Sequence, residues 1–113
     1  MRNRIVRLHD LAHARAGDKG DRLSIGLFPF DHAHWALLAE QVTEDRVRAH
    51  FKSRRPTRVT RYDLPVLGGF NIVLENVLGG GVNSSLYLDM HGKCLSFHLL
   101  SLPITLPETS DAR

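Results

Sequence analysis

The ten residues from His13 to Arg22, His-Ala-Arg-Ala-Gly-Asp-Lys-Gly-Asp-Arg, constrain this chain most. They pack five charged groups and two glycines between two apolar stretches. The stretches on either side therefore read as two separate strands. Ile5, Val6 and Leu8 form the first, and Leu23-Ser24-Ile25-Gly26-Leu27 alternates large apolar with small residues as a half-buried strand does. The segment between them reads as a charged loop at strand ends. Gly17 and Gly20 admit positive φ and let main-chain N–H groups approach a ligand. Arg15, Lys19 and Arg22 supply cationic donors, and Asp18 and Asp21 supply carboxylates. Such a loop can bind an anionic group, or it can satisfy itself through pairs between its own acids and bases.

Length and charge narrow the class. A chain of 113 residues is the size of one domain with a single modest core. Hydrophobic residues at 42% and charged residues at 24% are those of an ordinary globular protein, and no apolar run has the roughly 20 residues that cross a bilayer. The basic N-terminus lacks the apolar segment and cleavage site of a secretory signal, and the single Cys94 makes no internal disulfide. Together these point to the cytoplasm and to no membrane partner. The net charge of +3 is concentrated in Lys52-Ser53-Arg54-Arg55-Pro56-Thr57-Arg58 and Arg61. A run of this kind is usually a solvated helix end, and alone it supplies only nonspecific attraction to nucleic acid.

Further along, Asp31 can cap a helix carrying Trp35, Leu38 and Val42, and Thr43 with Glu44 and Asp45 starts a second whose buried stripe is Val47 and Phe51. Pro56 stops it, and residues 57–64 read as a strand ending at Pro65. Phe70, Val73, Leu74, Val77 and Leu78 have helical spacing, with Gly79-Gly80-Gly81 as the stop. Leu86, Leu88 and Met90 alternate as in a strand. Residues 94–100 fit helix and strand equally, and the tail after Pro103 reads as loosely held.

The charged loop, the Asp63-Leu64-Pro65 turn, the Phe70-Asn71-Ile72-Val73-Leu74 segment and the triple glycine together resemble the AtuA-like ferredoxin-fold domain. That domain occurs at the C-terminus of acyclic terpene utilisation proteins and as a separate small polypeptide. The resemblance runs from about Leu8 to Ile104, and its most specific element is Ala14-Arg15-Ala16-Gly17-Asp18-Lys19-Gly20-Asp21. Ala16 stands where the family pattern has serine, which removes a hydroxyl from any chemistry at that place. The resemblance implies an α+β, single-domain ferredoxin-like sandwich over residues 1–104, about four strands with helices packed on one face, and a loosely ordered tail over 105–113. It also implies an association with breakdown of terpenoid or branched acyl-CoA compounds, and it brings no catalytic mechanism.

The leading expectation is an accessory or small-subunit domain, either a homo-oligomer or a complex with a larger AtuA-like protein. Its binding residues would be Arg15, Gly17, Asp18, Lys19, Gly20, Asp21 and Arg22 for an anionic small molecule or partner, with Gly80, Gly81, Asn83 and Ser84 as an opposite wall. The rival is a small oligomeric enzyme acting on an acyl compound, with His13, Asp18, Lys19 and Asp21 as acid-base candidates if the loop folds His13 back onto a carboxylate. A third reading, an RNA-binding sheet, lacks the glycine-aromatic signature of such sheets. No cofactor or metal site is expected: His32 and His34, two apart on a helix, point to different faces.

Overall fold

The computed structural model describes residues 3–20, 22–77 and 95–107, with Asp18 and Lys19 as backbone alone. In chain order the strands are β1 (Asn3–Arg7), β2 (Ala12–Lys19), β3 (Arg22–Pro29), β4 (Arg58–Leu64), β5 (Gly69–Glu75) and β6 (Pro103–Pro107). Helices α1 (Trp35–Gln41) and α2 (Glu44–His50) lie between β3 and β4, and residues 95–100 are also helical. Four strands make one antiparallel sheet in the order β2-β3-β5-β4, while β1 and β6 pair as a separate ribbon. Both β3 and β4 run antiparallel to β5, which lies between them, so they are parallel to each other. With α1 and α2 as the crossover this is a split β-α-β unit, consistent with a ferredoxin-like α+β fold.

The helices start where capping chemistry starts them. The Asp31 carboxylate accepts from the Ala33 amide and opens a short turn, His32–His34, that runs into α1. Thr43 Oγ1 accepts from the Arg46 amide, and Glu44 and Asp45 occupy the positive end of α2. Leu38, Val42, Val47 and Phe51 then meet Leu23, Ile25, Leu27, Phe70, Ile72 and Leu74 from one face of the sheet in a single buried cluster. Trp35 stacks on Phe70 with ring centroids 5.1 Å apart and donates its indole N–H to Gly69 O at 3.0 Å. Each fully buried side chain of this size is worth about 1.5–3 kcal/mol against exposure.

Four expectations change. Residues 69–75 form β5 rather than a helix. Phe70, Ile72 and Leu74 are fully buried in alternation with part-buried Asn71, Val73 and Glu75, so period two prevails over the helical spacing also present. The turn before it makes this possible: Gly68, at φ +73°, sends the chain back so that Leu64 pairs with Gly69. Second, Leu8 leaves the first strand for a short helical turn and is buried there.

Third, the expected loop of residues 13–22 is a β-hairpin, with β2 paired to β3 from Ala12 opposite Pro29 to Lys19 opposite Arg22. The three alanines and Gly17 let the strand lie flat along β3, and Gly20 supplies φ +63° at the turn. Fourth, the chain expected to loosen after residue 104 continues as β6 to Pro107, with Ile104 and Leu106 buried. Its prolines stand at Pro103 and Pro107, the two ends of the strand, where a missing N–H is tolerated. Residues 95–100 resolve as helix. The strand expected at residues 86–90 and the triple glycine lie outside the described residues.

Candidate functional site

The β2–β3 hairpin carries the charged residues as an arm at one edge of the sheet. Its ladder alternates, and one bond fixes the phase: the Phe30 amide donates to Leu11 O at 2.8 Å. The pairs two residues on, His13 with Phe28, Arg15 with Gly26 and Gly17 with Ser24, are therefore the hydrogen-bonded ones. His13 and Arg15 share the sheet face opposite the helices. His13 stacks against Phe28 and Phe30, with centroids 5.8 Å and 5.6 Å away. Phe28 in turn lies across Gly69, where an added Cβ would strike its ring and come within 2.7 Å of Leu27 O.

Because β2 is extended, His13 and Asp18 are five residues apart on one strand, roughly 17 Å along the backbone. The structure does not bring these two together as an acid-base pair. The Arg15 side chain is exposed and makes no ion pair or hydrogen bond among the described residues. Arg22 reaches Glu75 on β5 at 3.7 Å across the sheet, so this cation is partly neutralised. Gly17 has open space where a Cβ would lie, and packing does not demand a glycine there. Asp21, Gly80, Gly81, Asn83 and Ser84 lie outside the described residues, as do the side chains of Asp18 and Lys19.

Sequence reasoning missed the role of Arg61, which it grouped with a solvated basic run. Its guanidinium donates to Ala39 O at 2.6 Å and Val42 O at 3.0 Å, where α1 ends, and is paired with Asp63 at 2.8 Å. It also lies 5.2 Å from the centre of the Phe70 ring. Here a cation meets the negative end of a helix. The spacing of Arg61 and Asp63 on one strand face was the available signal. An open cleft of about 610 Å³ beside this pair is lined by Thr43, Glu44, Asp45, Arg61, Tyr62 and Asp63. Its cation is already committed, so the cleft offers no free charge to an anion.

A second unforeseen cluster joins α2 to the last helical segment. His50 Nε2 lies 2.8 Å from His98 O, and His98 Nε2 lies 2.7 Å from His50 O. Carbonyls only accept, so both Nε2 atoms carry hydrogen. The rings stack at 4.2 Å, and burial lowers the His50 pKa from its usual 6.5, with His98, Arg46 and Arg7 adding to the effect and the His98 carbonyl opposing it.

A split β-α-β sheet packed by helices on one face, with a charged hairpin at one edge, defines a small ferredoxin-like domain. The chain belongs to the AtuA ferredoxin-like domain family, whose model matches residues 6–105. No curated protein and no solved structure matches the chain. Among the described residues, no helix is long and apolar enough to cross a membrane.

Proposed function

We propose that this chain is an accessory or small-subunit domain of an AtuA-like system acting on terpenoid or branched acyl-CoA compounds. In this reading the β2–β3 hairpin is its contact arm. The observation that carries it is Arg15, a cation on a strand paired to β3, its side chain exposed and unpartnered among the described residues. A strand fixes such a group far better than a loop does, which suits recognition of a carboxylate or phosphate on a partner or ligand. The separation of His13 from Asp18 favours this reading over acid-base catalysis by the same segment.

Co-expression with the larger AtuA-like protein of the same genome, followed by size-exclusion chromatography with light scattering, tests it. A stable mixed complex is expected, weakened by Arg15→Glu and by Asp18→Ala or Lys19→Ala. A homo-oligomer indifferent to that protein contradicts the accessory role. Turnover by the purified chain that vanishes in Asp18→Ala and Lys19→Ala would establish the enzyme instead.

A further inference from the structure

We infer that the outer edge of β2 is a docking site for an extended, carboxylate-bearing segment of a partner protein, which joins the sheet as an added strand. This deepens the accessory-domain reading and rests on it for the existence of a partner. The argument begins with the ladder. Since His13, Arg15 and Gly17 direct their backbone groups to β3, those of Ala12, Ala14 and Ala16 point outward. Ala12 is buried, Ala14 half-buried and Ala16 exposed, so the accessible edge begins at Ala14.

An open strand edge is a template for pairing, and proteins usually blunt it. On each of the other edges at least one outward group is met by a side chain. On β4 the outward Arg61 amide donates to Glu44 Oε2 at 2.8 Å. On β6 the Gln41 amide meets both groups of Thr105, accepting from its N–H at 2.7 Å and donating to its carbonyl at 2.6 Å. On β1 the Arg7 amide donates to Asp10 Oδ2 at 3.0 Å. Among the described residues nothing meets the outward groups of Ala14 or Ala16. The small alanine side chains add no cover of their own to that backbone.

Charge selects the occupant. Arg15 and His13 stand on one face of β2, and the chain carries a net charge of +3. Pairing with a second copy sets Arg15 opposite Arg15 in the register centred there and opposite Lys19 in the one centred on Gly17, like charges in both. A foreign strand with acids at alternate positions instead places a carboxylate across from Arg15. The mode is strand addition, in which main-chain hydrogen bonds give affinity and alternate side chains give specificity.

The test uses the isotope-labelled full chain and three short synthetic peptides: alternating Thr and Glu, alternating Thr and Lys, and the Thr-Glu peptide N-methylated so that it cannot pair. Amide exchange is read at Ala14 and Ala16. The Thr-Glu peptide is expected to slow both and to leave His13 and Arg15, already bonded to β3, unchanged. Arg15→Glu is expected to weaken binding roughly fivefold. Ala16→Pro is expected to abolish it while sparing the β3 ladder, which does not use that N–H. Should Ala16→Pro fail to fold, the N-methylated peptide carries the same test. No slowing up to about 1 mM peptide overturns the inference. So does equal slowing by the lysine or N-methylated peptide, or a dimer that protects Ala16 without peptide. A failed titration beside an intact complex with the AtuA-like protein overturns this inference and leaves the accessory reading standing.

Discussion

Replacing Arg61 by methionine removes one side chain that closes α1 onto the sheet, and the structure sets the size of the effect. Two charge-assisted hydrogen bonds, to Ala39 O at 2.6 Å and Val42 O at 3.0 Å, are lost at the end of a helix. Bonds of this type contribute about 1.5 kcal/mol or more each when the acceptors are left without a partner. The contact 5.2 Å from the Phe70 centroid adds about 0.5–1 kcal/mol. The Asp63 pair adds little, because its carboxylate side is 42% exposed and solvent screens it. Methionine keeps much of the packing volume, so no cavity cost is added and the expected loss is about 3.5–4 kcal/mol, a large share of the roughly 5–15 kcal/mol of a domain this size. Urea unfolding followed by fluorescence of Trp35, the chain's one tryptophan, reads it. Asp63→Asn, the control, should cost under about 1 kcal/mol. Equal losses in the two variants, or an Arg61→Met loss below about 0.5 kcal/mol, would refute the helix-end role.

Gly69→Ala is expected to cost about 1–3 kcal/mol, measured by the same unfolding curve, because its Cβ meets Leu27 O at 2.7 Å and displaces the Phe28 ring. Gln41→Leu removes both hydrogen bonds to Thr105, and faster amide exchange along β6 and β1 should follow, with a stability loss of about 1–3 kcal/mol. The lowered pKa of His50 gives a pH dependence with a definite sign. The native ring takes up a proton less readily than the unfolded one. Stability is therefore full above the usual 6.5 and declines as pH falls below it toward the native value. The ring is partly exposed, so the slope lies well under the ceiling of about 1.4 kcal/mol per pH unit, and His50→Gln should flatten it.

Local chemistry made part of this fold legible in advance. Asp31 and Thr43 announced their helices because N-caps act within three residues, and Val47 with Phe51 announced the buried face of α2. Period was less decisive. Phe70, Ile72 and Leu74 alternate, but Phe70, Val73 and Leu74 also fit a helix, and only the register with β3 and β4 separates the two. The charged segment misled for a related reason: its alanines are neutral between strand and loop until Leu23 to Phe28 lie opposite them. Among the expected site residues, Arg15 on its exposed position was legible from charge alone, whereas the separation of His13 from Asp18 depends on the strand. Spacing could place Arg61 beside Asp63, but neither its hold on the end of α1 nor the His50–His98 pair could be found that way, since those partners are carbonyls on other elements, which carry no side-chain signature.

Amide hydrogen exchange at Ala14 and Ala16, measured on the chain alone and with the larger AtuA-like protein, tests the contact-arm account most directly. The account predicts fast exchange at both in isolation, slow exchange at Arg15 and Gly17, and marked protection of Ala14 and Ala16 in the complex. Slow exchange at Ala16 in the chain alone, or a stable complex that leaves both alanines as fast as before, would contradict it.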